Sequence, residues 1–428
     1  KFFESDFEKL LAGADSNINA VSLQEGYLGF IVITPLPERF FGRTCLKTYP
    51  TEHRRHYPIT RKYSVNLFGI SLTVDSLAYQ EQDKVTSACA TSALWSVFHG
   101  SGILFHHSIP SPVEITNAAS RHVFLNQRPL PNSGLTIFQI AHATKSVGLE
   151  PLLVSVNNDM LTLRSHLYSY LKANLPLLLV IDLFLCNSRR KRKYGTHAVA
   201  VAGFSLTNEA AVPHASLMFR MEASRIEKIY LHDDQVGPFA RMEFGLEKIS
   251  QNGEQLFTLC TTYFPEGSKD YMLAVPKTIL IPLYHKIRIP YSIIQEVVVT
   301  IDGIIKSFKE INVIQDIEEI SWDISLTTIN AFKQEFFSNA TIRSNLRKET
   351  LTRSLPRFMW RATALCNGKA VLDLLFDATE AEDARLLAYA VGYNKELLDS
   401  LKAINGVPEY LALLNAQEKR ISDWLSHS

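Results

Sequence analysis

The period of apolar and polar positions changes several times along the chain, and each change marks an element. Residues 24–35, EGYLGFIVITPL, are an apolar run closed by proline, the pattern of a strand and a turn. YSVNLFGISLTVDSLA (63–78) alternates and reads as one or two strands. After the interruption EQDKVTSACA, the stretch ATSALWSVF takes on helical spacing, so a helix is expected over 89–99. In GLTIFQIAHATKSVGLE (134–150), Ile137, Ile140, Ala141, Ala143 and Val147 share a helical face and Gly148 supplies the stop. A short strand, PLLVSV, comes next, then a helix over 159–173. LPLLLVIDLFL (175–185) reads as a buried strand. The charged turn SRRKRKYG leads into the strand THAVAVAGF. IEKIYLHDD (226–234) is a further strand, ending in two aspartates before the turn VGP.

Periodicity is weaker in the second half. TLCTTYFP (258–265) and YMLAVPKTILIP (271–282) read as extended. KIRIPYSIIQEVVVTID mixes periods, 320–328 fits a strand, and LTTINAFKQEFF fits either class. Residues 366–428 read as helical, because apolar residues recur there at spacings of three and four. The expected class is α+β in three parts: an N-terminal extension (1–74) packed on the core, a central domain (75–298), and a mixed, then mostly helical, accessory region (299–428).

Composition narrows the functional classes. The chain has 428 residues, 46% of them hydrophobic, enough for two or three ordinary domains. With 44 basic and 43 acidic residues, nothing global points to nucleic acid. The five cysteines, at 45, 89, 186, 260 and 366, are widely spaced, odd in number and without a CxxC pair. A disulfide scaffold does not fit, and a reducing, cytoplasmic compartment does. KFFESDFEKLLAG lacks the apolar run of a signal peptide, although secretion by a signal-independent route would leave the same sequence. The apolar run at 175–186 is too short to span a membrane.

The chemistry-bearing candidates cluster in the central part. Cys89 stands where small residues, Ser87, Ala88 and Ala90, turn into an apolar helix. An attacking thiol needs an exposed sulfur and a field that favours its anion, and a helix N-terminus contributes to both. The competing explanation is a small buried core residue. His197 opens the apolar strand THAVAVAGF and is placed to act as base. Asp233 or Asp234 can orient that imidazole. Alternation along KIYLHD puts Asp233 on the face of Ile229 and Leu231 and points His232 away from it, so Asp233 is the preferred partner. Gln82 or Gln80, seven and nine residues before the thiol, can return an amide toward an oxyanion, with Gln82 preferred as the nearer. Cys45 has no apolar helix directly after it and ranks well behind Cys89. His99, His106 and His107 lack further ligands at fixed spacing. RRKRK (189–193) reads as a solvated hairpin tip or as a docking patch for an acidic partner.

The order Gln82, Cys89, His197, Asp233 in this strand–helix context resembles the papain-like cysteine peptidase superfamily, most of all its bacterial double-glycine-leader peptidase branch. The likeness covers about residues 75–245 and includes GLTIFQIAHATKSVGLE, LKANLPLLLVI, THAVAVAGF and IYLHDDQVGP. Ala90 stands where that family often has glycine, Asp-Asp-Gln replaces the usual Asp-Pro, and the Gln–Cys separation is seven rather than six. The resemblance implies a papain-like fold, with a central helix packed on an antiparallel sheet. It implies a thiol hydrolase that cleaves a peptide, isopeptide or other amide bond through a Cys-His-Asp triad and an acyl-enzyme. An acyltransferase using the same triad, or an inactive scaffold serving protein interaction, is the alternative. No metal or organic cofactor is implied. The implied partner is a peptide or protein substrate, with a further protein partner at the C-terminal helices or the 189–193 run.

Overall fold

A computed structural model describes residues 2–4, 20–34, 40–52, 54–81, 89–121, 134–187, 190–214, 218–261, 270–311, 314, 318–379, 386–403, 421 and 423–424. The protein is α+β, with several antiparallel sheets and, among the described residues, nine α-helices. No helix among those residues is long and apolar enough to cross a membrane. The chain divides into two compact units. The first takes Lys1–Leu163, Asn174–Thr207 and Ile226–Tyr284. The second takes Arg164–Ala173, Asn208–Arg225 and His285–Ser428. The N-terminal residues thus share a unit with the central ones, and the expected boundary at 298/299 falls instead after Tyr284.

In the first unit, β1 (Phe2–Phe3), β2 (Tyr27–Thr34) and β3 (Phe40–Leu46) form one small sheet, and β5 (Arg61–Leu67) pairs with β6 (Ile70–Ser76). The main sheet contains β8 (Leu177–Cys186), β9 (Lys191–Leu206), β10 (Ile226–Asp233), β11 (Gly237–Gln251), β12 (Glu254–Thr261) and β13 (Tyr271–Tyr284). Each of these strands pairs antiparallel with the next, and β13 pairs back to β8. The six strands therefore close into a ring, which removes the free edges of an open sheet. β4 (Arg55–His56) continues the sheet beside β9, and β7 (Leu149–Ser155) beside β13.

The helix α2 (Cys89–Phe105) follows α1 (Ala20–Glu25) and precedes α3 (Pro112–Ser120), α4 (Ile137–Ser146) and α5 (Met160–Leu171). Every residue from Ala93 to Ser101 is buried, so α2 is covered all round, as expected of a helix in the centre of a core. Leu94, Val97 and Phe98 share one apolar cluster with Leu178 of β8 and with Ala198 and Ala200 of β9. Alanines on that strand let the helix approach closely. Polar contacts fix the helix along its length: Ser96 Oγ donates to Ala78 O at 2.8 Å, and His99 Nδ1 lies 3.2 Å from the Tyr63 hydroxyl. The same hydroxyl accepts from Ala78 N at 3.0 Å. α4 is closed by a capping box from Thr136 and Gln139 and ends before Gly148, at φ +83°, as its sequence foretells.

The second unit contains an antiparallel sheet of β14 (Ile320–Thr328), β15 (Phe358–Cys366), β16 (Lys369–Asp377) and β17 (Leu387–Gly392). Its helices are α6 (Tyr291–Glu310), α7 (Ile329–Ser338), α8 (Ser344–Thr352) and α9 (Lys395–Ala403). The expectation of a mostly helical stretch from 366 onward is corrected here, because 369–377 and 387–392 are strands. Leu372, Leu374, Leu375 and Phe376 are all buried, so β16 is covered on both faces and loses the alternation that announces a strand. Residues 404–420 lie outside the described residues. KIRIPYSIIQEVVVTID, which mixes periods, holds the start of α6. Asp373 is fully buried and accepts from Arg361 Nη2 at 2.8 Å and from the Tyr393 hydroxyl at 2.8 Å.

The first strand expected from 196 begins earlier, at Lys191. The basic run from Lys191 to Lys193 is therefore strand rather than turn; its arm is exposed on both faces, which leaves no burial pattern to read. Lys191 pairs with Glu247 at 2.8 Å and Lys193 with Asp182 at 2.8 Å, so much of its charge is already balanced. Ser188 and Arg189 lie outside the described residues.

Two stability outcomes follow from these contacts. Asp373→Ala leaves Arg361 without its buried partner and should cost about 3–5 kcal/mol in urea unfolding of the full chain. Burial holds the His99 imidazole down at about 3 against an ordinary value of 6.5. The unfolded chain therefore takes up a proton there that the folded chain refuses. The stability from this group is fully present above pH 6.5 and is lost as pH falls toward 3. Wild type should lose up to about 1.4 kcal/mol per pH unit over that range relative to His99→Gln. Parallel curves for the two proteins would show that His99 titrates normally.

Candidate functional site

The site is assembled from three separate elements of the first unit. Cys89 is the first residue of α2 and is half-buried. His197 is the first fully buried residue along β9, six positions into the strand rather than at its start. Asp233 closes β10, and Asp234 follows it in the turn to β11. β9 and β10 pair directly, with His232 opposite Ala200, and this pairing carries the aspartates to the imidazole.

His197 Nε2 lies 3.1 Å from Asp233 Oδ1 and 3.3 Å from Asp234 Oδ1. The Cys89 side chain also acts on the ring, favouring its charged form. Since Nε2 faces the carboxylates, Nδ1 is the nitrogen left for the thiol. Asp233 is further anchored because the Gln235 N–H donates to its Oδ1 at 2.9 Å. The sequence preference for Asp233 therefore matches the shorter contact and the better-held carboxylate, while Asp234 stands almost as close.

The electrostatics are set by burial working against charge. Burial alone would push the His197 imidazole down. The Asp233 hydrogen bond, the Cys89 side chain and the field of both aspartates outweigh it and hold the group well above the ordinary 6.5. Burial pushes the Asp234 carboxyl up to about 6, with Asp233 adding to the rise and His197 opposing it. Such an imidazole is built to be charged next to an acceptor, which is what a thiolate–imidazolium pair requires.

A narrow cavity opens beside the thiol, lined by Gln80, Ser92, Ser96, Ala198, His232 and Asp234, with Tyr79 and Ala93 also on its wall. Gln82 lies outside the described residues, so of the two glutamines Gln80 is the one seen at the cavity. His232, which alternation points away from Asp233, lines this wall. It shares this wall with Asp234, the first residue past the strand. Burial pushes His232 down to about 3, which keeps it neutral. Its ring packs edge-on to Tyr79 and Phe239.

The remaining candidates lie elsewhere. Cys45 is fully buried, and burial pushes its thiol up to about 12, so it is a poor nucleophile. His99 is engaged with Tyr63, and His107 Nε2 is 2.8 Å from Ser101 Oγ. Among the described residues, one group has donors close enough to hold a metal ion: His197, Asp233 and Asp234, whose ligand atoms all lie within 4.8 Å of one another. A scan against protein-family models finds no match to the chain, and no curated protein matches it significantly.

The charge balance at His197 can be read directly. Followed by NMR, the wild-type imidazole should stay protonated well above pH 6.5. Asp233→Asn removes the largest contribution that raises it, and the titration should move down, toward or below 6.5. An unmoved midpoint would assign the effect to Asp234 instead.

Proposed function

We propose that the chain is a thiol hydrolase acting on an amide bond of a peptide or protein, built on a papain-like fold. The observation that carries this reading is the convergence on His197 of the Asp233 carboxylate, 3.1 Å from Nε2, and the Cys89 side chain, which favours the charged ring. The closed antiparallel sheet against a buried helix that starts with the thiol supports the same fold reading.

In this mechanism His197 Nδ1 takes the thiol proton, and Asp233 stabilises the imidazolium. The sulfur attacks the carbonyl carbon, and the oxyanion is met by an amide N–H near Cys89 and a glutamine side chain, Gln82 or Gln80. The intermediate collapses as His197 returns the proton to the departing amine. The thioester that remains is released by water, with His197 again as base. An amine in place of water would give acyl transfer from the same residues, so bond type and acceptor rest on groups beyond the triad.

The test is alkylation of Cys89 by iodoacetamide as a function of pH, read by peptide mass. Near pH 6 the wild-type thiol should react at least about tenfold faster than in His197→Ala. Equal rates in the two proteins would overturn the Cys–His pair and leave the fold as an inactive scaffold.

A further inference from the structure

Asp234 is a buried carboxylate with an unmet demand. Its side chain is 3% exposed, and neither of its oxygens accepts a hydrogen bond. A charge held this way is costly unless a cation compensates it closely. The nearest positive group is His197, but its Nε2 is already 3.1 Å from Asp233 and can direct one N–H at one oxygen only. Two carboxylates thus converge on a single imidazole nitrogen, one of them without a donor of its own.

The three ligand atoms lie close enough together to close on one metal ion. Zinc sits about 2.0–2.2 Å from imidazole nitrogen and carboxylate oxygen, which places neighbouring ligand atoms of a tetrahedral site roughly 3.3–3.6 Å apart. The nitrogen–oxygen separations here are 3.1 and 3.3 Å, and all three donors lie within 4.8 Å of one another. One nitrogen and two carboxylates are a ligand set that zinc accepts, with water as the fourth ligand.

We propose that His197 Nε2, Asp233 and Asp234 form a binding site for a divalent transition-metal ion, zinc above all, and that the bound ion holds the Cys89–His197 pair inactive. The ion takes the lone pair on Nε2, and the proton carried there passes to solvent. The neutral ring then keeps its one proton on Nδ1, facing the thiol. An Nδ1–H can donate to sulfur but cannot accept its proton, so the base is blocked without any movement of the chain. The metal site stands on geometry alone. Its inhibitory effect rests on the thiol reading above, and the two are tested separately.

Binding is measured on the full chain carrying Cys89→Ala, which removes the nearby sulfur as a competing ligand. Zinc chloride is titrated into chelator-treated protein by calorimetry. One zinc per chain is expected, weakened at least about tenfold when Asp234→Asn or Asp233→Asn is added, with far-UV circular dichroism unchanged. Absence of one-to-one binding, or the same affinity in both added variants, overturns the site. Should Asp234→Asn not fold, Asp233→Asn carries the comparison alone. Inhibition is read on chains that retain Cys89. Zinc should slow its alkylation by at least about tenfold, a chelator should restore it, and Asp234→Asn should abolish the protection. Protection that persists in Asp234→Asn comes from zinc on the sulfur itself and overturns the inhibitory role. Slow alkylation before any zinc is added marks failure of the thiol reading, and leaves the binding result unaffected.

Discussion

The constraint on which the first unit depends is the burial of the middle of α2, Ala93 to Ser101, on all sides. A helix of that length can be enclosed only if its neighbours are small where they touch it. Ala198 and Ala200 on β9 meet that condition, and Leu94, Val97 and Phe98 fill the space they leave. The strand has no freedom on its other neighbour either. A side chain at Gly203 would put its first carbon 2.4 Å from the His56 carbonyl oxygen. Strand and helix therefore fix one another, and the position of Cys89 relative to His197 follows from packing rather than from any contact within the site.

How much of this was legible depended on the signal each element carried. Buried strands with long aliphatic runs, such as β8, and capped helices such as α4 were readable because composition and punctuation agree in them. Cys89, His197 and Asp233 were legible for the same reason: each sits where an apolar element begins or ends, and the structure brings the three together. What could not be read is equally particular. β16 is buried on both faces, and its leucines imitate a helix. The arm Lys191–Tyr194 is exposed on both faces and shows no alternation. Alternation placed His232 on the side away from Asp233, but it states which side a residue takes, not what lies on that side. The unpaired state of Asp234 was out of reach, since it depends on how many donors the folded surroundings supply.

The imidazole is where these levels meet. Desolvation would leave it neutral, and two neighbouring carboxylates, one anchored by a backbone N–H and one not, reverse that outcome. Redundancy of this kind makes the charge state robust to modest changes in geometry. It also leaves a surplus of negative charge in a place where water is largely excluded.

The order of the three contributing segments along the chain has a consequence during synthesis. Cys89 emerges first, His197 more than a hundred residues later, and the aspartates last. Until β10 has been made and has paired with β9, His197 lacks the aspartates that orient it. On the proposed reading, a chain that ends before β10 is chemically silent, and competence arrives with the pairing of β10 to β9. The fold thus acts as its own timer.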